Sequence, residues 1–420
     1  MRAAIWIGVS VWASAVAAQV PPTNGHVVSN TDFSDAQSPA WRERISRESA
    51  RHVDALRAGG RYSIKALAVI NDLQWPLKPV ASFDQFDYHG TKYFVDHDPR
   101  YPGLVQDYTC GTRTYDLDTG YNHAGTDYYL WPFPWLMMDR GLVQIVAAAP
   151  GVIADKADGN FDRDCAIASG TDPNFVSVRQ DDGLTAIYLH MRSGSVTTLP
   201  IGTRIAAGDY LGLVGSSGQS SGPHLHFELR DANNAVVDPR HGMCNDAPDR
   251  WAVFQPYEDP HIDTLSTHSA DPLFVDCGVD DAGNAVDETP YYQDRFTPGS
   301  PVWVFASYRD QRNGEVTNFS ILRPDGSTFA QWDFDLASEN EPAAFYSGTA
   351  WDWQYTLPAD APGGTWQFRA DFQGQTYVHE FAVAASPFDP GAAGRDREQV
   401  GARAVRCRPQ ANGSSAPGCP

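Results

Sequence analysis

The chain has 420 residues, and its 52 acidic against 31 basic side chains leave a formal net charge of −21, which argues against a nucleic-acid surface built on Lys and Arg. Its 42% hydrophobic content suffices for ordinary cores, and a length of this order divides into two or three domains. Glycine (36), proline (30) and 12% aromatics point to a turn-rich β protein.

Residues 1–18 read as a secretory signal peptide. Arg2 precedes a small-and-apolar run, Ala3 to Ala18, that is too short to span a membrane. Val16-Ala17-Ala18 ahead of Gln19 supplies the cleavage signal, and Ala15-Val16-Ala17 is an equally legible one. No Cys follows it, which argues against a lipoprotein anchor. The mature chain is therefore expected to be secreted or periplasmic, without a membrane span. In that oxidising space the six cysteines read as disulfides. Proximity suggests Cys110–Cys165, Cys244–Cys277 and Cys407–Cys419.

Residues 19–70 form an N-terminal extension with one helix. Ser38 resembles an N-cap, Pro39 a first-turn proline and Gly59-Gly60 a stop. Trp41, Ile45, Val53 and Leu56 share its apolar face. Either the helix packs on the next domain, or the segment is a propeptide that covers an active site until removed. In the second case deleting residues 19–60 raises activity.

Residues 71–250 show short strands separated by glycine turns. Phe175 to Arg179 and Thr185 to Leu189 flank Asp182-Gly183 as a hairpin. Tyr210 to Val214 leads into the loop Gly215-Ser216-Ser217-Gly218, after which His224 to Arg230 alternates strictly. No amphipathic helix interrupts this region, so antiparallel β is expected. Residues 256–385 carry a second β pattern, in which Trp366, Phe368, Ala370 and Phe372 alternate with Gln367, Arg369 and Asp371. An immunoglobulin-like sandwich is expected there, followed by a flexible tail over 386–420. The fold class is thus all-β.

Three segments of the middle domain carry chemistry: His123-Ala124-Gly125-Thr126-Asp127, Tyr188-Leu189-His190 and Gly222-Pro223-His224-Leu225-His226-Phe227-Glu228. On a strand His224 and His226 point the same way, while Leu225, Phe227 and Leu229 point into a core. That makes a preorganised ligand platform. His123 and Asp127, four apart, can share a face on a strand or a helix. A surface His near an Asp explains that pair equally well when read alone, and His190 alone reads as structural.

In combination these segments resemble the lysostaphin-like and β-lytic zinc metalloendopeptidases over roughly residues 115–240. The resemblance implies zinc held by His123, Asp127 and His226, with His190 and His224 acting on the substrate and its water. It implies peptidoglycan peptides as substrate, a glycine-rich protein being a close variant, and neither nucleic acid nor a membrane as partner. Two imidazoles and one carboxylate leave a catalytic zinc one open position. There the metal lowers the pKa of water from about 15.7 towards about 7, and the two remaining histidines must carry proton transfer and oxyanion stabilisation. No H-E-x-x-H string offers a glutamate base instead. The chain departs from the family after Asp127, where Trp131-Pro132-Phe133-Pro134-Trp135 intervenes. That stretch reads as either a patch facing a neighbouring domain or a wall of the cleft. The rival class is a non-catalytic relative that activates another wall hydrolase. Such relatives lose metal ligands, and no ligand position is lost here.

Overall fold

The computed structural model describes residues 20–27, 35–63, 72–167, 170–275, 277, 286–339 and 341–385. The expected signal peptide, the tail after 385 and the Cys407–Cys419 pair lie outside the described residues. Among these residues no helix is long and apolar enough to cross a membrane. The described residues are all-β apart from two helices and one 3₁₀ turn.

The N-terminal half is built on a seven-stranded antiparallel sheet. Its strands run in the order His89–Thr91, Thr126–Leu130, His224–Arg230, Thr185–Tyr188, Phe175–Gln180, Gly151–Ala157 and Arg204–Ile205. Behind it lies a three-stranded sheet of Tyr210–Leu213, Val143–Val146 and Leu77–Pro79. Leu225, Phe227, Leu229, Val176, Val178 and Tyr188 of the large sheet meet Ile145 and Leu211 of the small one in a single core. Burying each such side chain contributes about 1.5–3 kcal/mol, enough to fix which face of His224–Arg230 turns away. The hairpin expected at Asp182-Gly183 joins Phe175–Gln180 to Thr185–Tyr188, with Val176 opposite Tyr188.

The opposite, front face of the large sheet carries His226 and Glu228. The register extends that face through Ile187, which pairs with both Glu228 and Ser177. Helix α1, Pro39–Ala58, lies across it. Ser38 Oγ caps the helix by accepting from the Trp41 N–H at 3.2 Å, and the chain stops at Gly59. Trp41 and Ile45 pack on Phe175, Ile187 and Leu189, and Val53 and Leu56 on Val152 and Ala154. Ser49 and Ser177 share a buried hydroxyl hydrogen bond of 2.9 Å.

The C-terminal half is a two-layer sandwich. One layer orders Asn24–Val27, Phe345–Thr356, Pro301–Arg312 and His261–His268. The other orders Arg295–Phe296, Gln375–Val383, Gly364–Phe372, Thr317–Leu322 and Thr328–Phe334. Trp332, Trp353, Trp366, Phe319 and Phe368 fill the space between them. The first strand of the first layer, Asn24–Val27, comes from the N-terminal extension and pairs with Phe345–Thr356.

Three expectations are corrected or resolved. The disulfide formed is Cys110–Cys244, with Cα atoms 5.2 Å apart, in place of Cys110–Cys165 and Cys244–Cys277. The turn at Asp107, whose carboxylate accepts from the N–H groups of Thr109, Gly111 and Arg113, packs on the 242–245 turn through a Cys244 N–H to Tyr108 O bond of 2.9 Å. Separation along the chain, 134 residues, is no guide to such tertiary contact. Cys277 lies instead by Cys165, its Sγ 3.6 Å from that residue's carbonyl oxygen. A six-residue helix, α2 (Pro134–Asp139), interrupts the expected all-strand region where Pro134 starts a turn. The aromatic stretch before it faces the neighbouring domain: Trp131 and Phe133 pack on Phe274, Phe305 and Ala350.

Glu288 accepts the Leu136 N–H of α2 at 2.9 Å. Burial outweighs its backbone hydrogen bonds and pushes its carboxyl up to about 8. An unfolded chain ionises this group near 4.5, so the neutral form contributes stability that is present at low pH and lost as pH rises towards 8. Glu288→Gln keeps the acceptor and removes the titration. It should raise the thermal midpoint at pH 8–9 and leave it unchanged near pH 4.5, as differential scanning calorimetry across that range would show. An equal shift at both ends would contradict the assignment.

Candidate metal centre

Strand register brings the predicted side chains together. His226 stands directly opposite Asp127 across the ladder, and directly opposite residues share a face. His226 Nδ1 lies 2.9 Å from Asp127 Oδ1. His123, in the turn before strand Thr126–Leu130, places Nε2 3.1 Å from Asp127 Oδ2 and 3.3 Å from His226 Nδ1. His224, one pleat along, puts Nε2 3.7 Å from Asp127 Oδ1. His190 follows the end of Thr185–Tyr188 in the left-handed region, at φ 64°. That conformation costs a non-glycine residue on the order of 1 kcal/mol and aims the ring back over the sheet. The rings of His190 and His224 lie 4.5 Å apart, centroid to centroid. All five residues are 0–1% exposed.

Hydrogen bonds on the outer side of each ring set what faces inward. His123 Nδ1 meets Phe94 O at 2.6 Å, His190 Nδ1 meets Ser217 O at 2.7 Å and His224 Nδ1 meets Gly222 O at 2.8 Å. A carbonyl only accepts, so each Nδ1 carries the hydrogen and each Nε2 turns inward. His226 is reversed, its Nε2 facing Glu228 Oε2 at 3.1 Å and its Nδ1 turned inward. The inward Nε2 atoms of His190 and His224 make no hydrogen bond. Buried lone pairs aimed at a common point, with carboxylates beside them, suit a cation. Tetrahedral nitrogen and oxygen ligands at about 2.0–2.2 Å would stand about 3.3–3.6 Å from one another; the spacings among His123, Asp127 and His226, 2.9–3.3 Å, reach the lower end of that range.

Electrostatics point the same way. Burial opposes charge on His226, but Asp35, Asp127 and Glu228 outweigh it and push the imidazole up to about 10. Asp127 is held well below the usual carboxylate range by His123, His226 and His224 against its burial. The cavity thus takes positive charge readily. His224 goes the other way: burial, with His190 beside it, brings it down to about 4.

Sequence reasoning missed three contributors. Glu228 falls on the same face as His224 and His226 by strand parity, a signal present in the string His224-Leu225-His226-Phe227-Glu228, and it fixes the His226 ring. Asp35 comes from the N-terminal extension and carried no sequence signal. One ligand atom each from Asp35, His123 and His226 lies within 4.8 Å of the others. Arg42 of α1 makes an ion pair with Glu228, and its guanidinium lies 3.2 Å from Asp35 Oδ2.

Comparison with known proteins finds matches to part of the chain. Residues 137–239 match the family model described as Peptidase family M23. That span includes His190, His224 and His226 and begins after His123 and Asp127. Over 66 residues the chain is 36% identical to DD-carboxypeptidase/endopeptidase Mpg of Neisseria meningitidis serogroup B, and equally to Mpg of Neisseria gonorrhoeae. Those residues are 16% of this chain and 14% of the length of the relatives. Among solved structures, the catalytic domain of lysostaphin from Staphylococcus simulans is 21% identical, covering 36% of this chain and 89% of that one at a TM-score of 0.23. A catalytic-domain mutant of the prophage-encoded M23 protein EnpA from Enterococcus faecalis is 25% identical, covering 40% and 94%, also at 0.23. Over residues 137–239, about a quarter of its length, the chain is similar to peptidase family M23.

Proposed function

We propose that the chain is an exported zinc metalloendopeptidase that hydrolyses peptide bonds of bacterial peptidoglycan. His123, Asp127 and His226 would hold the metal, and His190 and His224 would act on the substrate. The observation that carries this reading is the convergence of His123 Nε2, His226 Nδ1 and the Asp127 carboxylate within 3.3 Å of one another, beside two further inward lone pairs. When bound, the metal would supply Lewis-acid polarisation of the scissile carbonyl and of the attacking water. His224, unprotonated at neutral pH, would take the water's proton and pass it to the leaving amine. His190, across from it, would face the carbonyl oxygen and stabilise the charge that develops there. Glu228 would keep the His226 ring in place, as partners of metal-bound histidines do.

Zinc is the metal that a site of two imidazoles and one carboxylate with an open position suits. The wall-peptide substrate rests on the lysostaphin-like resemblance and on the M23 match. The Mpg relatives, named as carboxypeptidase and endopeptidase, support peptide-bond chemistry. Export rests on the apolar run Ala3 to Ala18, and the C-terminal sandwich is read as an immunoglobulin-like accessory domain. The complete set of five inward donors weighs against a non-catalytic activator.

Two measurements test the reading. Elemental analysis of the purified chain should give one zinc per molecule; a metal-free chain would favour the activator. Digestion of peptidoglycan of defined cross-link type, with mass spectrometry of the released peptides, should show new amino termini at one class of bond. Release of sugars without new amino termini would discard the peptidase assignment.

A further inference from the structure

The five chemistry-bearing side chains of this site are sealed from solvent, and what seals them is the chain's own N-terminal segment. Asp35 is 0% exposed, and its Oδ1 lies 3.7 Å from His226 Nδ1. Its Oδ2 lies 3.6 Å from His190 Nε2. Tyr121 and Tyr115 donate their hydroxyls to Oδ1 at 2.5 and 2.9 Å. The backbone around Asp35 is tied to the loop that presents His224. Asp35 forms a β-bridge with Ser220, and the Ala36 N–H donates to Gln219 O at 3.1 Å. From there α1 runs over the front of the sheet and covers Phe175, Ile187 and Leu189, the apolar floor leading away from His190 and His226. Arg42 locks the two parts together. Its guanidinium reaches Asp35, Glu228 and, at 2.8 Å, the Tyr121 hydroxyl. With residues 35–58 in this position the histidines are 0–1% exposed.

Building on the metallopeptidase reading above, we propose that Asp35 is a displaceable further ligand of the same metal. It heads an intramolecular competitive inhibitor formed by residues 35–58, with Arg42 as its lock. The carboxylate is well suited to the place. One ligand atom each from Asp35, His123 and His226 lies within 4.8 Å of the others, and Asp35 is ion-paired to Arg42 on its far side. Asp35 would take the position that a metal with three ligands otherwise leaves to water or substrate. The segment is anchored on both sides: Asn24–Val27 pairs with Phe345–Thr356 of the sandwich, and α1 packs on the peptidase sheet. The C-terminal sandwich thereby gains a role as the fixed end of the inhibitory strap. Removing the strap would uncover the metal's open position and the surface of Phe175, Ile187 and Leu189 beside it in one step.

The test uses the full chain loaded with cobalt(II), whose visible absorption reports its ligands, and acetohydroxamate as a small chelating probe of the open position. Wild type should show no acetohydroxamate-induced spectral change at millimolar probe. Asp35→Ala should show a saturable change and hydrolyse peptidoglycan at least tenfold faster. Asp35→Asn, which retains the side chain's shape and its acceptance from Tyr121, guards against misfolding and should bind the probe more tightly than wild type. Stoichiometric cobalt with the same probe response in all three chains would overturn the assignment of Asp35 alone. A chain that takes up no cobalt would overturn the metal reading and this assignment together.

Discussion

Replacing His226 by alanine should abolish stoichiometric zinc and lower peptidoglycan hydrolysis by at least about 10³-fold. Rates are compared in the Asp35→Ala background, where the cleft is open. Losing a hydrogen-bond partner of a ligand typically costs about 10–100-fold in metal affinity, so Glu228→Gln sets the lower bound and loss of the ligand exceeds it. His226 is central because it faces Asp127 at 2.9 Å and His123 at 3.3 Å and is itself oriented by Glu228. His190→Ala should separate the functions, retaining zinc while losing about 10²–10⁴-fold in rate, the usual contribution of a positioned acid or base. Zinc by elemental analysis and rates by amine release decide both. Stoichiometric zinc in His226→Ala would remove that residue from the ligand set, and full activity in His190→Ala would remove His190 from the mechanism.

Gly125→Ala is expected to damage both fold and site. A methyl group there would sit 2.6 Å from His226 Nε2 and 2.6 Å from the Phe227 carbonyl oxygen. One obstacle is a candidate ligand and the other is backbone of the central strand, so neither yields cheaply. Overpacking of this kind costs about 1–3 kcal/mol. The cheapest relief, rotation of the imidazole, breaks its hydrogen bond to Glu228 and its approach to Asp127. Zinc content should therefore fall with the thermal midpoint. A variant that unfolds at the wild-type temperature and binds zinc normally would show that the strand shifts freely at this point.

Much of the fold was legible because strand parity and turn residues are local. The alternation from His224 to Arg230, the hairpin at Asp182-Gly183 and the cap Ser38-Pro39 each follow from neighbours a few residues apart. The five candidate histidine and aspartate positions came from the resemblance of three short strings, taken together, to the lysostaphin-like family; read alone, the His123–Asp127 pair and His190 looked structural. Glu228 lay within reach of the same parity argument.

What the residues could not disclose depends on long-range contact. Cys110 meets Cys244 because two turns pack, and chain separation carries no information about that. Trp131 and Phe133 read equally well as a cleft wall until Phe274 and Phe305 were seen against them. The orientation of each imidazole is decided by a backbone carbonyl, Phe94, Ser217 or Gly222, that belongs to another segment or to a loop's course. Asp35 is the clearest case. It sits in a polar stretch 88 residues before His123, and only the packing of α1 across the sheet brings its carboxylate to the histidines. The sequence by itself determined the β architecture, since periodicity is a local property, and it singled out five candidate side chains through the resemblance of three short strings to the lysostaphin-like family. The tertiary structure alone decided which lone pairs face inward and what lies over them, because burial and register are properties of segments that meet only on folding.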